Sequence, residues 1–168
     1  MAQPVKKNIK ESVKPKKKII KKGKKNHKEY GTSKLEEKFM YEFLDRLNVK
    51  YDYQYKAENI GRYFDFYLYG NENGGTNVLI EIQGGYWHSD PRLYEGKELN
   101  ATQKHNKKVD ALKKKWADEH RIPLYYFWEK DINENPQKVM NELKGIIIKE
   151  TKNFHLLEKK KQRPKIKK

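Results

Sequence analysis

VLIEIQGGYWHSD, residues 78–90, is an apolar, β-branched run with Glu81 at its middle; it ends on Gly84-Gly85 and passes at once into Trp87-His88. Its first part, with Asn77 in front, predicts a strand buried on both faces and therefore central in a sheet. A carboxylate inside such a strand is costly unless something pairs with it, and a bound cation is one answer. The stretch therefore predicts both the middle of a fold and a site.

Upstream, YDYQYKA (51–57) and GRYFDFYLYG (61–70) alternate in the manner of strands, with turn residues on either side, and predict a hairpin. Before them, Leu35, Phe39, Phe43, Leu44 and Leu47 recur at helical spacing behind Ser33, which predicts a helix over 33–48. Downstream, PRLYEGKELNATQ reads as a loop, and HNKKVDALKKKWADEH as a helix of about 15 residues whose inward face is Val109, Leu112 and Trp116. IPLYYFW predicts a fourth strand, and Asn135-Pro136 opens a last helix with Val139, Leu143 and Ile147 spaced four apart. Helix, three strands, helix, strand, helix is an α/β layout: a mixed central sheet flanked by helices.

The net charge of +16 is unevenly spread. Residues 1–30 hold 12 Lys and 2 Glu, and residues 151–168 hold 7 Lys, 1 Arg and 1 Glu, whereas the 120 residues from Gly31 to Glu150 carry 19 basic and 20 acidic side chains. The expected organisation is a basic disordered arm (1–30), one compact domain (31–150) and a basic tail (151–168). Such arms suit a polyanion through counterion release. With no cysteine there is no disulfide and no thiolate zinc site. Nothing resembles a secretory signal or a membrane span, so the expectation is a soluble, cytoplasmic protein with no membrane partner. Phosphate-cradling Gly-x-x-x-x-Gly-Lys loops are absent as well.

Asp65, Glu81 and His88 stand where apolar residues are expected. Alternation puts Asp65 on the opposite face from Phe64 and Phe66, and neighbouring strands place facing side chains about 5–8 Å apart. Two carboxylates that close repel unless one is protonated or a metal bridges them. Oxygens of Asp65 and Glu81 with the Ile82 backbone carbonyl form a hard ligand set for Mg²⁺ or Mn²⁺, and a cation there suits phosphodiester hydrolysis.

Asp65 followed by Glu81-Ile82-Gln83 resembles the core of the PD-(D/E)xK nuclease superfamily, with Gln83 where a lysine usually stands. SKLEEKF, YFDFYL, IEIQGGYWH, Asp110 and IPLYYFWEKDI, taken together, resemble its very-short-patch repair endonuclease-like branch, which includes phage homing endonucleases with a Glu-Asp-x-His-Asp pattern. The resemblance covers about residues 33–145. It implies a restriction-endonuclease-like fold and a metal-dependent endonuclease acting on DNA, with RNA left open. It also implies that Asp65 and Glu81 hold the metal, that His88 assists proton transfer and that Glu36 is the acidic residue of the first helix. Asp110 is the final acid, with Asp118 as its competitor. Gln83 can orient a water.

Each residue has a plainer explanation beside this one. Glu36 lies three after Ser33, the spacing of a capping box; Tyr86 and Trp87 read as core, with an aromatic wedge between bases as the alternative. Lys113, Lys114 and Lys115 read as a solvated helix face or as phosphate contacts. The competing functions are a nuclease-fold DNA-binding protein without turnover and an architectural protein working through its arms.

Overall fold

The computed structural model describes residues 33–70 and 77–161. The N-terminal arm, the last seven residues of the C-terminal arm and most of the glycine-rich turn after Gly70 lie outside the described residues. Four strands form one sheet in the order β1 (Tyr51–Ala57), β2 (Arg62–Leu68), β3 (Val78–Gln83) and β4 (Leu124–Trp128). The first two pairings are antiparallel and β3–β4 is parallel, so the sheet is mixed and β3 lies inside it, as its apolar composition predicts.

Ser33 caps the first helix by accepting the Glu36 N–H at 3.1 Å. That helical rod consists of α1 (Lys34–Phe39), a π-helical turn (Met40–Leu44) and α2 (Asp45–Leu47). The segment read as a loop contains a short helix, α3 (Pro91–Tyr94). The long helix α4 (Ala101–Glu119) starts earlier than expected, because Asn100 and Gln103 form a reciprocal capping box. A short α5 (Glu129–Glu134) precedes α6 (Pro136–Lys161). Helix α6 runs past Glu150, where a tail was expected, with no glycine or proline between Gly145 and Pro164 to stop it. No helix among the described residues is long and apolar enough to cross a membrane.

The sheet separates two cores. On one face Phe66, Leu68, Val78, Ile80, Ile82 and Phe127 pack against Phe39, Phe43 and Leu44 of the first rod and against Val139, Leu143 and Ile146 of α6. On the other, Phe64, Tyr67 and Leu79 meet Trp116 and Ala117 of α4. Phe64 and Phe66 thus pack in different cores, which overturns the strict alternation expected around Asp65. The cause lies opposite: the β1–β2 pairing passes from Tyr53–Phe66 to Tyr55–Phe64, and Gln54, between the two tyrosines, has φ of 55°. A left-handed residue inside a strand turns the chain, so the faces exchange there.

The inward side of α4 also differs from expectation. Leu112 is exposed, and beside buried Trp116 and Ala117 the helix turns Gln103, Asn106, Asp110 and Lys113 toward the sheet and the loop before it. These positions recur three or four apart, the helical period, but in polar residues.

Candidate active site

Strands β2 and β3 pair through Leu68–Val78, Tyr67–Leu79 and Phe66–Ile80, and there the ladder ends. In the gap that follows, Asp65 accepts the Ile82 N–H on its Oδ2 at 2.7 Å. A carboxylate thus takes the place of a strand carbonyl and wedges the strands apart, satisfying an N–H that would otherwise be an orphan. Burial, then the charges of Glu81 and Glu36, push the Asp65 pKa well above its ordinary value; Lys113 and the Ile82 N–H pull the other way.

Glu81 is 3% exposed, and its pairing on the α4 side is specific: Lys113 Nζ donates to both carboxylate oxygens at 2.9 Å. The Glu81 pKa is still raised, because burial outweighs the lysine's pull. Lys113 is itself 13% exposed, and its ammonium lies 5.6 Å from the centre of the Phe64 ring.

Beyond β3, the Gly84-Gly85 turn carries the chain out of the sheet. A Cβ on Gly84 would stand 3.3 Å from the Trp87 side chain, so the glycine permits a close approach. His88 follows, and its Nδ1 lies 2.9 Å from Asp110 Oδ2 on α4. An ionised carboxylate can only accept, so the Nδ1–H donates to Asp110 and orients the ring. Asp110 and Lys113, one turn apart, bring this dyad and the Glu81 pair to one side of the helix.

Glu36 accepts the Tyr53 hydroxyl at 2.8 Å, so its carboxylate reaches beyond the cap toward β1, and its charge raises both Tyr53 and Asp65. Gln83 is buried, and its amide nitrogen has no hydrogen-bond partner among the described residues. Such a buried donor is costly unless a ligand or water meets it.

The fold therefore brings Asp65, Glu81, His88 and Asp110 together and sets Glu36 behind Asp65. Asp118, the competitor of Asp110, pairs instead with Lys114 on the outer side of α4, and Lys115 pairs with Glu119. Only Lys113 of the three lysines turns inward. Ile82 meets Asp65 through its N–H. Tyr86 and Trp87, expected in the core, are 49% and 56% exposed. The turn lifts them outward, and Gln103 and Asn106 hold their backbone carbonyls at 3.0 Å, so the rings stand out on an anchored knuckle.

Two site residues are not legible as such in the sequence. Lys113 stands there as one of three lysines read as a solvated face or as phosphate contacts, with nothing to mark it as the partner of Glu81. Tyr126 stands beside Glu81 in the β3–β4 register; burial and the charges of Glu81, Asp110 and Asp118 push its phenol up to about 12.

Among the described residues no group of three or more His, Cys, Asp or Glu side chains forms a metal-ligand set. The pair of enclosed carboxylates on adjacent strands does fit a hard divalent cation in donor chemistry, since such ions bind through one or two carboxylates and retain water. No family model, curated protein or solved structure matches the chain.

Proposed function

We propose that this domain is a metal-dependent endonuclease that hydrolyses phosphodiester bonds in DNA, as the PD-(D/E)xK resemblance implies. The observation that carries the reading is the crevice where β2 and β3 part. There buried Glu81 and half-buried Asp65, carboxylates from neighbouring strands, stand beside a His–Asp dyad. Perturbed carboxylates beside an oriented histidine suit general-base chemistry.

Asp65 and Glu81 would hold Mg²⁺ or Mn²⁺, and the ion would supply Lewis acidity toward the phosphate and a more acidic bound water. Asp110 orients His88 through Nδ1, and the other ring nitrogen would take a proton from the attacking water or stabilise charge. Glu36 adds negative charge behind Asp65 and strengthens its hold on a cation. Gln83 offers its unused amide N–H to a water or phosphate oxygen. The exposed Tyr86 and Trp87 rings present stacking faces for bases beside the cleavage position. The basic arms contribute salt-sensitive affinity without sequence preference.

A second reading, a nuclease-fold DNA-binding protein without turnover, is favoured by Gln83 in the lysine position and by the closure of Lys113 over Glu81. Supercoiled plasmid incubated with Mg²⁺, Mn²⁺ or EDTA separates the two. Metal-dependent nicking or linearisation that Asp65→Asn and Glu81→Ala both lack supports the enzyme. A salt-sensitive gel shift with plasmid and short branched or mismatched duplexes left intact supports the binding protein.

A further inference from the structure

We propose that Lys113 is a tethered counter-ion that holds the place of the divalent cation, closing the metal-free site over Glu81 and giving up the carboxylate when the ion binds. This rests on Asp65 and Glu81 being the cation-holding pair. The geometry is not that of a surface ion pair. One ammonium meets both oxygens of Glu81 at 2.9 Å, and the two side chains are 13% and 3% exposed. An ionised carboxylate so placed needs a cation beside it, because a buried unpaired charge is strongly unfavourable.

Both Glu81 oxygens are taken up by the ammonium, and these are the oxygens a divalent ion would need. The ammonium and the ion therefore compete for the same oxygens.

The tether suits an exchange of partners. Lys113 reaches inward from α4 on four flexible methylenes, so the head group can withdraw without movement of the helix. A displaced ammonium would remain close to the bound ion and repel it, unless an anion came between them. A DNA phosphate is such an anion, so ion and substrate should favour each other's binding. A strongly basic protein held on DNA by its arms would then load its ion most readily when a phosphate is seated in the crevice.

The test compares the full-length wild type with Lys113→Met and Lys113→Arg for Mn²⁺ binding by titration calorimetry at mildly alkaline pH, with Asp65→Asn as the control that identifies the site. Lys113→Met should bind Mn²⁺ at least about tenfold more tightly, because a competing positive charge has been removed, while Lys113→Arg stays near wild type. In thermal melts, Lys113→Met should lie below wild type in EDTA, and saturating Mn²⁺ should close the gap. An unchanged or weaker affinity in Lys113→Met, or a melting gap that Mn²⁺ leaves as it is, overturns the proposal. If no protein binds Mn²⁺ at this site, the cation-holding reading falls with it. If binding behaves as expected but no DNA is cut, the counter-ion stands and the endonuclease falls.

Discussion

The two faces of β3 are equally buried and chemically opposite. Val78, Ile80 and Ile82 enter a core of aromatic and aliphatic side chains, whereas Leu79, Glu81 and Gln83 alternate with them toward α4. On the first face the buried neighbours are aromatic and aliphatic, and the hydroxyls at its margin find partners, Tyr53 donating to Glu36 and Tyr125 to Glu150. On the second, a carboxylate is paired with a lysine and the Gln83 amide nitrogen has no partner among the described residues. Burial does not distinguish structure from site here; the difference is whether the buried group is satisfied by its own surroundings. The α4 face carries an energetic cost that the other face offsets, as expected if the site works as proposed.

The sharpest way to break this contrast is to damage the dry face. Phe39 is fully buried against the rings of Phe43, Phe66 and Phe127, at centroid distances of 5.0, 5.7 and 5.1 Å. Phe39→Ala should lower stability by about 3–5 kcal/mol, enough to unfold a marginal domain, as read by urea denaturation. A loss below about 1 kcal/mol would mean that the rod does not anchor the sheet.

The polar face should respond in the opposite direction. Replacing the pair together, Glu81→Leu with Lys113→Met, exchanges a dry ion pair for apolar groups. The double variant should equal the wild type in stability or exceed it by about 1–4 kcal/mol. Cleavage should vanish at the same time. Urea melts of the two single variants and the double complete a cycle, and a double variant less stable than either single would show that the pair is structural.

How much of this contrast can be read from the sequence follows from the same physics. Apolar periodicity locates the strands and the core helices, because burying apolar surface is what forms them. Asp65, Glu81 and His88 are legible because they interrupt that pattern. The inward side of α4 is not, since Gln103, Asn106, Asp110 and Lys113 are polar, while of the apolar residues among them Leu112 is exposed and Val109 only half-buried. Only the partners, Glu81 and the backbone of Tyr86 and Trp87, reveal which way the helix is turned. The face exchange at Gln54 is equally hidden, because a left-handed backbone there lacks the glycine or asparagine that would announce it. Tyr86 and Trp87 mislead for a related reason: large aromatics are read as core, and here a hydrogen-bonded turn holds them out.

Acidity gives a gentler contrast. A carboxyl whose folded pKa is raised binds its proton more tightly in the folded state than in the unfolded state. Its contribution to stability is therefore present at low pH and is lost as pH rises from the ordinary Asp value of 3.8 through the raised one. The metal-free protein should lose stability across that window. Asp65→Asn should flatten the trend and leave the folded domain more stable at neutral pH while abolishing cleavage. Melts in EDTA from about pH 4 to about pH 8 check the sign, and a wild type that gains stability over that range would contradict it.

The smallest effect on stability belongs to Tyr126, on the edge strand beside Glu81. Its phenol, pushed up to about 12 by burial and by the charges of Glu81, Asp110 and Asp118, keeps its proton throughout the physiological range. It is then a neutral donor facing a group of acids. Tyr126→Phe should shift stability by less than about 0.5 kcal/mol, because the ring and its packing remain. If phosphate is the ligand of the crevice, the missing hydroxyl should slow single-turnover cleavage by about tenfold with little change in duplex affinity, since a donor aimed at developing charge acts on the transition state. Equal rates in the two proteins would confine the chemistry to β2, β3 and α4. A weaker affinity with an unchanged rate would make the hydroxyl a ground-state contact, and the contrast between the faces would extend to substrate binding alone at that edge of the sheet.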